Sequence, residues 1–203
     1  KKKKYKTILT TNYDYLIENQ ISKETINPSS AETRYSLFRV NHIDKYSIWH
    51  IHGEANRFRT ICLGFDHYSG YLENIRKYIT AGESIKGKGI GLFNKIKSGD
   101  SEITSWVDHF FFSNINIIGL SLDYVENELW WLLVHRNRLL WQKDIQLRNK
   151  IRYFFNSREL SHKEKDRNDL LKSIGVELVE IDEKDHKTFY EKALSYHLPN
   201  KKK

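Results

Sequence analysis

The stretch KTILTTNYDYLIENQI, residues 6–21, passes from a strand pattern to a helix pattern. Its apolar and β-branched residues up to Thr11 are typical of a strand, and the part from Tyr13 onward is typical of a helix. Asn12 and Asp14 place an amide and a carboxylate at the junction. Ligands of open α/β sheets bind at the carboxyl ends of strands, so this junction predicts both a fold class and the location of a site.

Five further short runs rich in β-branched or aromatic residues predict strands. They lie near residues 47–51, 60–64, 115–121, 151–155 and 176–181. Helical patterns separate most of these runs, and strands that alternate with helices are typical of a mainly parallel sheet covered on both faces. We therefore expect an α/β fold, a Rossmann-like three-layer sandwich with a mainly parallel sheet. The 203 residues suffice for a single domain over 1–203.

Apolar periodicity and capping residues predict the longer helices. One helix is expected after Asp66 as its N-cap, and a second from Ser101. A third is expected after the capping box Ser161 to Glu164 and should end at Gly175. Residues 125–141 carry apolar side chains around most of the helix circumference, which indicates burial in the fold or against a partner. Five of the ten glycines lie in residues 80–100, where we expect a long flexible loop.

The charge and the cysteine content bound the class of protein. The formal net charge is +8, but the lysines at 1–4 and 201–203 supply seven of the positive charges. Nucleic-acid binding therefore rests on the two lysine ends and has weak support. Cys62 is the single cysteine, which excludes an intrachain disulfide and a cysteine-rich zinc site and favours a cytoplasmic location. No apolar run reaches the roughly 18 residues of a membrane span.

Two further junctions repeat the arrangement of the first. IWHIHGE at 48–54 and INIIGLSLDYVENELWW at 115–131 also place polar side chains just past an apolar strand. In this order, Thr11-Asn12-Tyr13-Asp14, His52-Gly53 and Gly119-Leu120-Ser121-Leu122-Asp123 resemble the sirtuin-like family, specifically its bacterial defence branch. LGFDHYSGYL at 63–72, SWVDHFF at 105–111 and ELWWLL at 128–133 are similar to that branch as well, so the resemblance covers roughly residues 8–138.

The resemblance implies an NAD hydrolase that cleaves the nicotinamide glycosidic bond to give nicotinamide and ADP-ribose, in antiphage defence by NAD depletion. It implies that Asn12 and His52 are catalytic and that NAD is the substrate, without a metal. It implies NAD contacts by Thr11, Asp14, Gly53, Gly119, Ser121, Leu122 and Asp123. As partners we expect NAD or ADP-ribose, together with self-association or a larger defence complex.

The sequence also departs from the family in two respects. Classical deacylases of the family hold a structural zinc with four cysteines, a module that a single cysteine cannot form. The family's opening strand and Gly-Ala-Gly phosphate loop would precede Lys1. Because the chain also contains no methionine, we expect an N-terminally truncated domain.

The chemistry of NAD hydrolysis suits an amide and an imidazole. Nicotinamide leaves as a neutral base, so no strong acid has to protonate it. The amide of Asn12 can both donate and accept hydrogen bonds, which suits the holding of a water molecule or a ribose hydroxyl. An imidazole such as that of His52 can accept a proton from water or from a hydroxyl.

Other interpretations of the same residues stay open. Asn12 or Asp14 can cap the helix that follows the first strand. His50 and His52 have the spacing of a two-histidine metal site, with Asp66 and His67 nearby in sequence. The whole chain is alternatively a catalytically silent nucleotide-sensing or partner-binding module.

Overall fold

We describe a computed structural model of the chain over residues 5–22, 33–80, 91–142, 145–158 and 160–196. The lysine runs at both ends, on which the predicted nucleic-acid binding rests, lie outside these ranges. Within the described ranges, no helix is both long enough and apolar enough to cross a bilayer.

Two three-stranded sheets form the framework. The first has the order β1-β3-β2 and consists of β1 (Thr7–Thr10), β2 (Asn41–Ile43) and β3 (Tyr46–His50). The second has the order β4-β5-β6 and consists of β4 (Ile115–Ile118), β5 (Ile151–Asn156) and β6 (Glu177–Ile181). Only β2 runs antiparallel to its neighbour. The predicted α/β class with mainly parallel strands is confirmed, and the arrangement is compatible with a Rossmann-like sandwich.

Seven α-helices accompany the strands in the described part of the chain. They are α1 (Leu16–Ile21), α2 (Gly64–Thr80), α3 (Leu92–Ser98), α4 (His109–Phe112), α5 (Asn127–Leu140), α6 (His162–Ser173) and α7 (His186–Ser195). The predicted capping box is present at α6, where the Ser161 hydroxyl accepts from the Glu164 amide and the Glu164 carboxylate accepts from the Ser161 amide. Helix α5 is buried in the fold through Leu129, Leu132 and Leu133, in agreement with its apolar pattern.

Helices pack on both faces of the second sheet. Consecutive residues of β5 point to opposite faces, so Tyr153 joins the main hydrophobic core and Phe154 joins a smaller cluster. That smaller cluster contains Phe189 and Ala193 of α7. The first four residues of β5 are buried, as expected for a central strand covered on both sides.

Residues 60–64, predicted as a strand, are not one. A 3-10 helix, Phe58–Thr60, leads into an irregular segment, and α2 already begins at Gly64, so Asp66 lies in its first turn rather than at its N-cap. The amide of Cys62 donates to the carbonyl of His52 at 2.8 Å. The segment therefore packs beside the loop that follows β3 instead of extending a sheet.

The helix predicted from Ser101 is also wrong in its start and length. Residues 101–105 are irregular, and a 3-10 helix, Trp106–Asp108, precedes the short α4. The buried carboxylate of Asp108 accepts the backbone amides of Thr104 and Ser105 at 2.9 and 3.0 Å and pairs with the buried Lys95 at 2.8 Å. These bonds hold the segment before Trp106 in an extended form.

Three elements were not predicted from the sequence. They are β2, which pairs with β3, α7 on the outer face of the second sheet, and α3. Helix α3 lies in the stretch 80–100 for which we expected a flexible loop, and residues 81–90 of that stretch lie outside the described ranges.

Candidate active site

Three loops meet at the carboxyl ends of β1, β3 and β4. Thr10 and His50 are partners in the parallel register of β1 and β3, so residues 11–14 and 51–53 leave the first sheet at the same edge. Nε2 of His52 lies 2.7 Å from Oε1 of Glu128, in the first turn of α5, which follows β4. This contact brings the third junction to the same place.

The pair of His52 and Glu128 lies in the interior of the protein. His52 is 3% exposed and Glu128 is 0% exposed. The imidazole packs edge-on against the ring of Tyr68 on α2, with centroids 5.3 Å apart. Nδ1 of His52 makes no hydrogen bond to the described residues. His52 therefore has one ring nitrogen fixed and one available.

His50 differs from His52 because both of its ring nitrogens are used. Nδ1 lies 2.8 Å from the carbonyl oxygen of Asn12, and Nε2 lies 2.6 Å from Oε1 of Glu18. A carbonyl oxygen can only accept, so Nδ1 donates and holds the Asn12 backbone. His50 and His52 thus contact different carboxylates and do not share one site. No group of three or more potential metal ligands occurs among the described residues.

The first junction presents its side chains alternately outward and inward. Asn12 is exposed, and its side-chain amide makes no hydrogen bond within the described residues. Tyr13 turns inward, where its hydroxyl donates to the Cys62 carbonyl at 2.8 Å. Desolvation raises the pKa of Tyr13. Asp14 is exposed, and Oδ1 accepts from the Leu16 amide at 3.0 Å in a local turn before α1, whose N-cap is Tyr15.

A buried polar network supports these two junctions from below. Glu54 is 0% exposed and lies 3.1 Å from Nε of Arg39, which also donates from its guanidinium to the His50 carbonyl at 2.9 Å. Tyr15 donates to the other oxygen of Glu54 at 2.7 Å. Burial first and the nearby Glu54 second raise the pKa of Tyr15. The network ties the end of β3 to the start of α1.

Two of the predicted NAD-contacting glycines have packing reasons to be glycine. Gly53 has a φ of +110°, and a Cβ there would lie 2.5 Å from the Thr60 carbonyl oxygen. Gly119 has a φ of +71°, and a Cβ there would lie 2.4 Å from the hydroxyl of Tyr190. Both conformations favour glycine. At Gly53 the backbone of Thr60 also excludes a larger side chain, whereas at Gly119 the close atom is the end of the Tyr190 side chain, which can move aside.

The loop after Gly119 is fastened to α5 and α6. Leu122 is 2% exposed with a φ of +48°, an uncommon conformation for a leucine, and its carbonyl accepts from the Trp130 indole at 3.2 Å. The Ser121 carbonyl accepts from Arg167 at 2.7 Å. Asp123 pairs with Lys163 at 2.6 Å, and this hydrogen bond lowers the pKa of Asp123. Thr11, at the first junction, is half-buried.

The family model for the SIR2-like domain matches residues 6–116, more than half of the chain. The chain belongs to the SIR2-like domain family. Comparisons with curated proteins and with solved structures give no match. SIR2-like domains bind NAD and include NAD-dependent enzymes, so the function of this SIR2-like domain is related to NAD. The matched region contains Asn12 and His52 but ends before Gly119.

The sequence did not identify three residues that lie beside His52 in this SIR2-like domain. They are Tyr68, Glu126 and Glu128. Desolvation raises the pKa of the half-buried Glu126, and the nearby His52 lowers it. A glutamate in the first turn of a helix is also what the helix dipole favours, so position 128 by itself carried no signal for a contact with His52.

Proposed function

We propose that this SIR2-like domain is an NAD glycohydrolase that releases nicotinamide and ADP-ribose from NAD. The observation that carries the proposal is the pair of unengaged polar groups at one sheet edge, the side-chain amide of Asn12 and Nδ1 of His52. Membership of the SIR2-like family points to NAD as the substrate, and these two groups have the chemistry that its hydrolysis needs.

In the proposed reaction a water molecule attacks C1′ of the nicotinamide ribose. The bond from C1′ to the nicotinamide nitrogen breaks, its electron pair goes to that nitrogen, and the proton of water passes to His52. Asn12 orients the water or a ribose hydroxyl, and such positioning supplies about 7–11 kcal/mol in ideal cases. Because nicotinamide leaves as a neutral molecule, the residues need to act only on the attacking water and not on the leaving group.

The remaining predicted contacts are part of the proposal. Thr11, Asp14 and Gly53 line the nicotinamide-ribose side, and residues 119–123 approach the nucleotide. The half-exposed carboxylate of Asp123 faces Lys163, and the buried Leu122 offers NAD its backbone rather than its side chain. We propose that NAD depletion in the cytoplasm serves antiphage defence, with the domain self-associated or part of a larger complex.

The test is incubation of the full chain with NAD and chromatographic measurement of nicotinamide and ADP-ribose. We expect turnover by the wild type and its loss in Asn12→Ala and His52→Gln. Glutamine at 52 keeps a donor for the buried Glu128, so the fold is protected from a stranded charge. Asn19→Ala, the same change on the exposed surface of α1, is the matched control and should retain turnover. Binding of NAD without turnover by the wild type would favour the silent nucleotide-sensing module.

A further inference from the structure

The carboxylate of Glu128 is in an unusual position for a charged group. It is fully buried, Oε1 contacts His52 at 2.7 Å, and Oε2 has no hydrogen-bond partner among the described residues. A buried carboxylate with a single partner is costly, because the loss of its hydration is only partly replaced. Glu18 is in the same position, since it is fully buried, contacts a histidine through Oε1 and leaves Oε2 without a partner among the described residues.

A carboxylate fixes the tautomer of a histidine that donates to it. Oε1 of an ionised Glu128 can only accept, so Nε2 of His52 carries the proton and Nδ1 of the neutral ring carries the lone pair. Nδ1 is the nitrogen that makes no hydrogen bond to the described residues. The geometry therefore places the lone pair on the nitrogen that no described residue occupies.

The neighbouring pair of His50 and Glu18 shows the contrasting case. The Nε2–Oε1 distance is 2.6 Å there and 2.7 Å in the pair of His52 and Glu128. In His50, however, Nδ1 is occupied by the Asn12 carbonyl, so no basic nitrogen remains. Two pairs with nearly the same carboxylate contact thus differ at Nδ1, which donates to a carbonyl in His50 and has no hydrogen-bond partner among the described residues in His52.

The groups around His52 come from two other parts of the fold. Glu128 and Glu126 approach from α5 and the loop before it, and Tyr68 approaches from α2. Of these, only Glu128 makes a hydrogen bond to the imidazole within the described part of the chain. Glu128 is therefore the residue that sets the orientation of the ring.

We propose that Glu128 is the positioning residue of the proton acceptor: it holds His52 as the Nε2-protonated tautomer so that Nδ1 accepts the proton of the attacking water. This inference rests on the proposed NAD hydrolysis and assigns a role to a residue outside the matched region 6–116. The site then takes residues from segments that follow both sheets, because His52 follows β3 and Glu128 follows β4.

The test is Glu128→Gln, which keeps the size of the side chain but removes the obligatory acceptor. The amide can donate to Nε2, so His52 can adopt the opposite tautomer and lose its basic Nδ1. We expect kcat for NAD to fall by about 10²–10⁴-fold with KM little changed, because general-base catalysis is worth that much. Asp108→Asn makes the same change in another fully buried carboxylate, and should lose stability while keeping kcat.

A second readout is independent of turnover. Long-range proton–nitrogen NMR spectra of the full chain report which ring nitrogen of His52 is protonated, with the signal assigned by its loss in His52→Gln. We expect protonated Nε2 in the wild type and in Asp108→Asn. Protonation on Nδ1 alone in the wild type would overturn the inference, even if Glu128→Gln does not fold.

The two proposals fail in different ways. If the wild type releases nicotinamide and Glu128→Gln matches it in kcat, the positioning role is wrong and NAD hydrolysis stands. If the wild type shows no turnover, NAD hydrolysis is wrong, and the role of Glu128 as the positioning residue of that reaction is wrong with it, whatever the tautomer of His52.

Discussion

Glu54→Gln removes one charge from a fully buried ion pair beneath the candidate active site. Oε1 of Glu54 lies 3.1 Å from Nε of Arg39, and the two side chains are 0% and 1% exposed. Glutamine has the same size and still offers an acceptor to Tyr15, which donates to Oε2 at 2.7 Å. The main change is therefore that the guanidinium of Arg39 stays buried without its counter-charge.

The expected cost follows from that stranded charge. Removal of one partner of a buried ion pair costs about 3–5 kcal/mol, a large part of the roughly 5–15 kcal/mol that stabilises a domain. Arg39 keeps its hydrogen bond to the His50 carbonyl at 2.9 Å, so we expect the lower end, about 3 kcal/mol. In a chain of this length each kcal/mol lowers Tm by about 2–4 °C, which predicts a fall of about 6–12 °C.

Urea and thermal unfolding followed by circular dichroism measure this cost. Glu73→Gln is the control, because Glu73 and Lys77 form an exposed pair at 2.8 Å and the same substitution should leave the midpoint unchanged. Adding Arg39→Met should recover part of the loss, since the stranded charge is then gone. A loss below about 1 kcal/mol in Glu54→Gln, the size of one ordinary hydrogen bond, would refute the reasoning.

Three further predictions concern single residues. Glu126→Gln should stabilise the protein at neutral pH and not at about pH 4. Desolvation raises the pKa of Glu126, so the wild type loses stability as the pH rises above the ordinary pKa of a glutamate. Equal urea midpoints of both proteins at neutral pH would contradict this. Burial raises the pKa of the Cys62 thiol to about 11, so a disulfide reagent at mildly alkaline pH should label the native protein far more slowly than the urea-denatured protein, and equal rates would speak against a buried thiol. Ser161→Ala should cost about 1 kcal/mol by removing the N-cap of α6, with an unchanged chemical-denaturation midpoint as the contrary result.

Local patterns were sufficient where one segment decides its own structure. The capping box at Ser161 predicted the start of α6, and the apolar circumference of 125–141 indicated a helix buried in the fold or against a partner. They were insufficient for residues 60–64, because a short apolar run has no period that separates a strand from a packed loop. There the amide of Cys62 pairs with the His52 carbonyl, a partner that no local pattern specifies.

The alternation of strands and helices in the sequence by itself determined that the loops after β1 and β3 share an edge, because parallel strands end on the same side. The polar residues Asn12 and His52 predicted a candidate active site at that edge. Only the tertiary structure decided which histidine keeps a free nitrogen and which carboxylate holds it. The contact between His52 and Glu128 joins residues 76 positions apart from two different sheets, and its formation depends on how those sheets pack rather than on either segment.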